Sequence, residues 1–150
     1  MPSKQIKQYL LRLLTKQDYS EQELRNKLRA RGEDDTLINE ILDEFKAKAW
    51  QSDQRTAKNL VHSKKEREGP LKILYSLKQR GLDETLVKGL MPDHETSIDI
   101  ALSLLNKKYP SFGQLSLAEK QKYLRFLLTR GFPHEVAYAA IHAYENQHKT

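Results

Sequence analysis

The residues with the clearest potential for chemistry are arginines that lie just before a glycine. The stretch Leu28-Arg29-Ala30-Arg31-Gly32 has two counterparts, Leu77-Lys78-Gln79-Arg80-Gly81 and Leu127-Leu128-Thr129-Arg130-Gly131. Leucine, arginine and glycine keep the same spacing in all three, and the glycines are 49 and 50 residues apart. Such a triplet fits an active site, a nucleic-acid contact or a joint of the scaffold, because a basic helix end that runs into glycine is also an ordinary helix stop.

A second feature is a concentration of positive charge in the middle of the chain. The net charge of the 150 residues is +6, and residues 46–80 carry 10 basic and 3 acidic side chains. This excess favours a polyanionic partner, either nucleic acid or an acidic protein surface, and a solvated basic face without a partner is the alternative. The Lys64–Arg67 run before Gly69 and Pro70 predicts cations at a corner between helices. The predicted contact residues are Arg25, Arg29, Arg55, Lys58, Lys64, Lys65, Arg67, Lys72 and Lys78.

Residue patterns typical of catalysis are missing from the sequence. There is no cysteine, no glycine-rich phosphate loop and no GxSxG elbow. No two histidines have the i, i+4 spacing of a helical metal site; they are His62, His94, His134, His142 and His148. The acidic cluster Glu40, Asp43 and Glu44 has oxygen ligands for a divalent cation, but its place on a polar helix face favours solvation. We therefore expect no enzyme activity, no metal and no cofactor.

Each interval between glycines has the same order of helix signals. In the first, an apolar stripe from Ile6 to Leu14 predicts a helix, and Ser20 with Glu23 predicts a capping box for a second helix that ends at Gly32. A third helix follows Asp34. The other intervals repeat this order, so the sequence predicts an all-α protein of nine helices in three tandem three-helix repeats, at residues 1–50, 51–92 and 93–150.

The joints between second and third helices explain the triplet. We expect Gly32, Gly81 and Gly131 to end the second helices in the left-handed conformation, with the leucines buried. The arginines before them then interact with the negative end of the same helix. In the second repeat, Asp83 predicts a cap for a short third helix through Met91, and in the third repeat residues 111–115 are the longest irregular loop. Specific DNA reading by the third helices is disfavoured, because they begin with the acid-containing EDDTLI, LDETLV and FPHEVA.

Three segments of the sequence resemble RecX, a family of regulatory proteins that bind the RecA recombinase. They are YSEQELRNKLRARG (19–32), AWQSDQRTAKNLVHSKKEREGPLKILYSLKQRG (49–81) and KYLRFLLTRGF (122–132). The resemblance covers residues 5–145. It implies a curved, elongated helical molecule that docks into the groove of the RecA filament on DNA. It further implies that the protein restrains the ATPase and strand-exchange activities of RecA and limits filament growth in recombination, repair and the SOS response, with no catalytic residues of its own.

The chain departs from the RecX pattern at several positions. Ala49-Trp50 stands where the family has glycine-tyrosine, and Thr56 stands where it has phenylalanine. Arg67-Glu68-Gly69 replaces a glycine-tyrosine-glycine, which places an acid inside the basic stretch. Ser52 can still cap a helix, so we expect the fold to be retained.

Three functional hypotheses remain open. The first is a non-enzymatic regulator of the RecA–DNA filament, which uses the basic middle repeat. The second is a free-standing nucleic-acid-binding protein, and the third is a helical scaffold for another partner. The N-terminal sequence has no apolar run long enough for a signal peptide or a membrane span, so we expect a cytoplasmic monomer without membrane contact.

Overall fold

The computed structural model describes residues 2–110 and 114–147, and every helix in these ranges belongs to an all-α fold without strands. The centre of the predicted loop at 111–115 and His148 lie outside them. The α-helices are α1 (Ser3–Lys16), α2 (Glu21–Ala30), α3 (Asp35–Ala47), α4 (Asp53–Lys64), α5 (Pro70–Gln79), α6 (His94–Lys108), α7 (Leu117–Thr129) and α8 (His134–Gln147). A short 3₁₀ helix, Glu84–Val87, lies between α5 and α6.

The chain forms two compact units. Unit 1 consists of residues 1–60 and 77–87, and unit 2 consists of residues 61–76 and 88–150. The core of unit 1 is formed by Ile6, Leu10, Leu24, Leu28, Ile38, Ile41, Leu42 and Phe45. The core of unit 2 is formed by Ala101, Leu105, Leu115, Tyr123, Leu127, Phe132, Val136, Ala137, Ala140, Ile141 and Tyr144. These residues come from the predicted apolar stripes, because helices bury one face against each other.

Side-chain caps fix the starts of the helices where the sequence predicts them. Ser20 accepts from the Glu23 N–H and Glu23 accepts from the Ser20 N–H, so the predicted capping box forms. Ser116 and Glu119 repeat this arrangement at α7. The Ser116 N–H holds the pKa of the Glu119 carboxyl below its usual value, and the Thr96 N–H does the same for the pKa of Asp93 at α6. Hydrogen bonding to the charged form is the cause in both cases.

The third helix of the second repeat differs from the prediction. Instead of a helix through Met91, the chain forms only the 3₁₀ turn Glu84–Val87. Asp83 does accept from the Thr85 N–H as predicted, but Gly89 has φ of +84° and ends helical geometry at once. The described residues therefore hold eight α-helices and one 3₁₀ helix rather than nine α-helices.

The three joints share one backbone geometry, as predicted. Gly32, Gly81 and Gly131 have φ of +84°, +72° and +94°. The N–H of each following residue donates to the carbonyl of the joint leucine, at 3.2 Å for Leu28, 2.9 Å for Leu77 and 3.1 Å for Leu127. This is the Schellman closure of a helix, and the three leucines are fully buried. The triplet is thus a structural feature of the fold.

In unit 1, the second joint packs against the start of α2. The Ser20 hydroxyl donates to the Arg80 carbonyl. The Arg80 guanidinium donates to the Glu23 carboxylate at 3.0 and 3.1 Å and to the Asp18 carbonyl at 2.9 Å. A Cβ on Gly81 would lie 2.6 Å from the Gln22 Cβ. The prediction that Arg80 serves its own helix end is therefore wrong, because its donors are used by residues about 60 positions earlier.

In unit 2, the third joint packs in the same way against the start of α5. The Gly69 N–H donates to the Arg130 carbonyl at 2.7 Å, and the Leu71 N–H donates to the Gly131 carbonyl at 3.0 Å. The Arg130 guanidinium donates to the Arg67 carbonyl at 3.1 Å, two residues before Gly69, as Asp18 is two residues before Ser20. Arg130 therefore also serves a distant segment rather than its own helix end.

The first joint has no such partner in unit 1. A Cβ on Gly32 would meet nothing within 4 Å. The Arg31 guanidinium lies 3.8 Å from the centre of the Tyr9 ring, a cation–π contact with α1. The three arginines of the triplet thus have different partners, although their backbone positions match.

Alanine in place of each joint glycine should lower the stability of the fold most where the glycine is packed most tightly. We expect Gly32→Ala to lower the free energy of unfolding by about 1 kcal/mol, the cost of left-handed backbone at alanine. Gly131→Ala should cost about 3 kcal/mol or more, because the new Cβ would lie 2.5 Å from the Lys72 nitrogen. Gly81→Ala should fall between them. Urea unfolding measures the free energy of unfolding of all three variants. Equal losses would contradict the packing of Gly81 and Gly131 against earlier helix starts.

A left-handed residue that is not a glycine lies just after the end of α3. Ala49 has φ of +58°, and the Trp50 N–H donates to the Phe45 carbonyl at 2.9 Å. The Trp50 ring meets the Phe45 ring edge-on at 5.2 Å between centres, which keeps the aromatic contact of this turn. The turn therefore forms with alanine at a position that favours glycine.

Ala49→Gly should raise the free energy of unfolding by about 1 kcal/mol, because glycine adopts this conformation without steric cost. The control is Ala47→Gly, two residues earlier in right-handed helix, which should lower it by about 0.5 kcal/mol. Urea unfolding of both variants checks the prediction. The same sign for both substitutions would show that the backbone at residue 49 is not strained.

Candidate functional site

Four predicted contact residues lie together where α4 ends and α5 begins, and we call this set the corner: Lys64, Lys65, Arg67 and Lys72. All four belong to unit 2. The Arg67 side chain donates to the Ser63 carbonyl at 2.9 Å, and its own carbonyl is held by Arg130. The Lys72 backbone lies directly against Gly131. The docked third joint therefore fixes the main chain from which the corner cations project.

One corner cation is neutralised within the chain. The Lys64 ammonium lies 3.0 Å from Oε2 of Glu68, whose side chain is 10% exposed. The other carboxylate oxygen of Glu68 is buried and meets no hydrogen-bond donor among the described residues. The acid that departs from the RecX pattern therefore takes Lys64 as its counter-ion and lowers the charge that the corner presents.

The other corner cations have no acidic partner within the described part of the chain. No carboxylate there lies within 4 Å of the charged atoms of Lys65, Arg67 or Lys72. A cation without a carboxylate partner attracts an anionic partner more strongly than a neutralised cation does. The attraction also offsets part of the free energy needed to remove the anion from water. The corner thus offers three cations rather than the four predicted.

Two large apolar side chains stand beside Lys72 on the outer side of α5. Leu71 is 55% exposed and Tyr75 is 63% exposed, one helical turn apart. They lie off the predicted apolar stripe, whose Ile73 and Leu77 are fully buried. The sequence analysis did not place them in the site, although their position off the stripe was the available signal. Exposed tyrosine is enriched at the energetic centres of protein interfaces.

The remaining predicted contact residues lie in unit 1, and three of them are already bonded. Arg25 donates to Asn39 at 2.7 Å and to Glu21 at 3.2 Å, and Arg29 donates to Asp35 at 3.0 Å. Arg55 donates to the carbonyls of Ala49 and Trp50 at 3.0 and 3.2 Å. Lys58 and Lys78 are exposed. The structure thus joins the unit 1 arginines to the turns and helices around them.

The acids on α3 bind lysines. Glu44 lies 2.7 Å from Lys7 and 3.0 Å from Lys48, and the hydrogen bond from Lys7 is the main cause that lowers the pKa of Glu44. Asp43 lies 3.5 Å from Lys46, whose pKa is raised chiefly by its hydrogen bond to Glu21. In the residues with described positions, no cluster of three potential metal ligands occurs.

Comparison with known proteins identifies the three repeats. Family models of RecX match residues 6–45 as the first three-helix domain, 52–89 as the second and 95–141 as the third. The chain belongs to the RecX family. Regulatory protein RecX of Neisseria gonorrhoeae strain NCCP11945 is 33% identical over 145 residues, 96% of this chain and 94% of the relative. Regulatory protein RecX of Legionella pneumophila strain Corby is 35% identical over 128 residues, 84% of this chain and 85% of the relative.

Solved structures of the family have the same fold. RecX from Lactobacillus salivarius superposes with a TM-score of 0.81 at 19% identity, covering 96% of this chain and 97% of that one. A second structure of regulatory protein RecX gives a TM-score of 0.75 at 22% identity, covering 94% of this chain and 73% of that one. Among the described residues, no helix is both long and apolar enough to span a bilayer.

Glu68→Gln should strengthen binding of polyanions. The substitution keeps the shape of the side chain and frees the charge of Lys64, so we expect affinity for single-stranded poly(dT) to rise about fivefold at low salt. Fluorescence anisotropy measures the change. Glu66→Gln, an exposed neighbour with the same change in net charge, is the matched control. An equal gain in both variants would mean that net charge, rather than release of Lys64, governs binding.

Proposed function

We propose that this chain binds the RecA–DNA filament and restrains RecA's ATPase, strand exchange and filament extension, and that it acts by binding rather than by catalysis. The proposal rests on one observation above all. The exposed Lys72 lies next to Leu71 and three residues before Tyr75 on α5, so a cation without a described carboxylate partner adjoins exposed apolar area on that helix. Membership in a family of regulatory proteins supports the same role.

The apolar residues favour a protein as the main partner. Phosphates are bound by cations and hydrogen-bond donors, so an exposed leucine adds little to a contact with a DNA backbone, and an exposed tyrosine ring can stack only on bases that are not already stacked in a duplex. On a protein surface the same two side chains would be buried and would contribute most of the binding energy, with the cations at the rim. The corner therefore fits a partner that has both an acidic surface and an apolar pocket.

A second candidate is a free-standing nucleic-acid-binding protein. The free cations Lys65, Arg67 and Lys72 support it, since each can neutralise a phosphate. It requires binding to DNA without RecA and a steep fall in affinity with salt. The expected monomeric state, the cytoplasmic location and the repeat boundaries at residues 50 and 92 belong to the leading proposal and stay predictions.

The ATPase of RecA on single-stranded DNA, with this chain added, tests the leading proposal. We expect the wild-type chain to inhibit, and the triple variant Lys65→Glu, Arg67→Glu, Lys72→Glu to lose at least about tenfold in potency. The matched control reverses three exposed cations of the same unit away from the corner, Lys88, Lys107 and Lys108, and should keep its potency. Equal loss in both variants would reject the corner as the binding surface.

An apolar variant separates the two candidates. Leu71→Ala with Tyr75→Ala leaves every charge in place, so binding to duplex DNA alone, whose bases are already stacked, should be unchanged while inhibition of the RecA ATPase falls about tenfold. Gel shifts with DNA alone, RecA alone and the preformed filament measure how the variant and the wild-type chain bind each of them. Tight binding to duplex DNA without RecA, unaffected by the apolar variant, would favour the second candidate.

A further inference from the structure

A groove of about 610 Å³ runs along α7 in unit 2, outside the corner. Three cations line it, together with two aromatic rings and two small side chains: Lys122, Arg125, Arg130, Tyr109, Phe126, Ala118 and Thr129. No carboxylate is among these lining residues. Lys122 and Arg125 are not among the predicted contact residues, whereas Arg130 is the arginine of the third joint.

The aromatic rings of the groove hold the cations in position. The Lys122 ammonium lies 5.1 Å from the centre of the Tyr109 ring, and the Arg130 guanidinium lies 5.1 Å from the centre of the Phe126 ring. Tyr109 and Phe126 meet edge to face at 5.7 Å. The Tyr144 hydroxyl also donates to the Tyr109 carbonyl. The charged atoms are therefore preorganised, which lowers the entropy that a bound partner must remove.

The same packing occupies the Tyr109 ring, on which a nucleic-acid base would otherwise stack. One face of Tyr109 stacks on Tyr123 at 4.2 Å between centres and 14° between planes, and Lys122 lies over the ring as well. Single-stranded nucleic acid gains much of its affinity from bases stacked on open aromatic rings. The groove offers charge and hydrogen-bond donors instead, and these suit carboxylates, which pair with guanidinium groups through two parallel hydrogen bonds.

The acids near α7 that the structure describes are already held by other groups. Glu119 accepts from the Ser116 N–H in the capping box, and Glu145 lies 3.5 Å from Lys120. Arg125 is exposed, and no described carboxylate lies within 4 Å of its guanidinium. Among the described residues, neither Arg125 nor Lys122 therefore has a carboxylate within 4 Å, although the charge of Lys122 contributes to the lowered pKa of Glu119 on the same helix.

From this arrangement we propose that the α7 groove binds an acidic peptide segment of a partner protein. Carboxylates of an extended chain would pair with Arg125 and Lys122 and reach Arg130 at the other end. Thr129 would donate a hydrogen bond to the peptide, and the small Ala118 leaves room for its backbone. Recognition of acidic segments by clustered arginines is a general mode of peptide binding. The groove adjoins the corner at Arg130, which donates to the Arg67 carbonyl, but its main contacts, Lys122 and Arg125, are not corner residues, and the inference does not rest on binding to RecA.

The test uses the full chain and a fluorescein-labelled peptide of alternating glutamate and glycine, with glutamine in place of glutamate as the neutral probe. At physiological salt we expect anisotropy to show binding of the acidic peptide only. Lys122→Glu with Arg125→Glu should lower its affinity at least about tenfold, because two charge-assisted contacts become repulsive. Lys107→Glu with Lys108→Glu, exposed on α6 in the same unit, is the matched control and should change affinity less than about twofold.

Three outcomes would overturn the proposal: no binding of the acidic peptide by the wild-type chain, equal losses in the two charge-reversal variants, or poly(dT) competing for the groove more strongly than the peptide. The last would assign the groove to nucleic acid. Circular dichroism confirms that the variants fold. The corner variant Lys65→Glu, Arg67→Glu, Lys72→Glu should still bind the peptide, so failure of this proposal and failure of filament regulation give different results.

Discussion

The structure depends on a main-chain contact in which a left-handed glycine packs against the start of an earlier helix. It occurs in unit 1 between Gly81 and α2 and in unit 2 between Gly131 and α5. In each case the guanidinium of the arginine before the glycine donates to a main-chain carbonyl two residues before the helix-capping residue. The main-chain carbonyl of the same arginine accepts a hydrogen bond from the capping residue. In both units the contact ends on the main-chain carbonyl of an arginine, but the donor is the Ser20 hydroxyl in unit 1 and the Gly69 N–H in unit 2.

This contact also orders the candidate binding surface in unit 2. Arg67 is held through its carbonyl, and the backbone of Lys72 is fixed against Gly131. Their charged ends extend from a main chain that is already immobile, so binding requires only the ordering of side chains. The repeated arginine-glycine joint is therefore not itself a binding site. It fixes the backbone positions from which the cations of the corner and of the α7 groove extend.

Local signals in the sequence predicted most of the fold, because capping boxes and glycine stops act within a few residues. The Ser20–Glu23 box and the left-handed Gly32 need no distant partner. The hydrogen-bond partners of Arg80 and Arg130 could not be predicted, because they lie about 60 residues earlier in the chain and leave no periodic pattern in the sequence. The nine contact residues stay a prediction; the structure adds that Lys64 has a buried counter-ion, which spacing alone could not reveal.

The second helix of the third repeat, α7, is longer than its two counterparts. All three second helices stop two residues before their joint glycine, but α2 and α5 have 10 residues and α7 has 13. Ser20 before α2 and Gly69 before α5 each donate to an arginine carbonyl, and the equivalent position in α7 is Glu119. Glu119 lies inside the first helical turn and accepts from the Ser116 N–H. A fourth joint could not dock there without unwinding that turn. The start of α7 therefore differs from the starts of α2 and α5, each of which packs against a joint glycine from a later part of the chain.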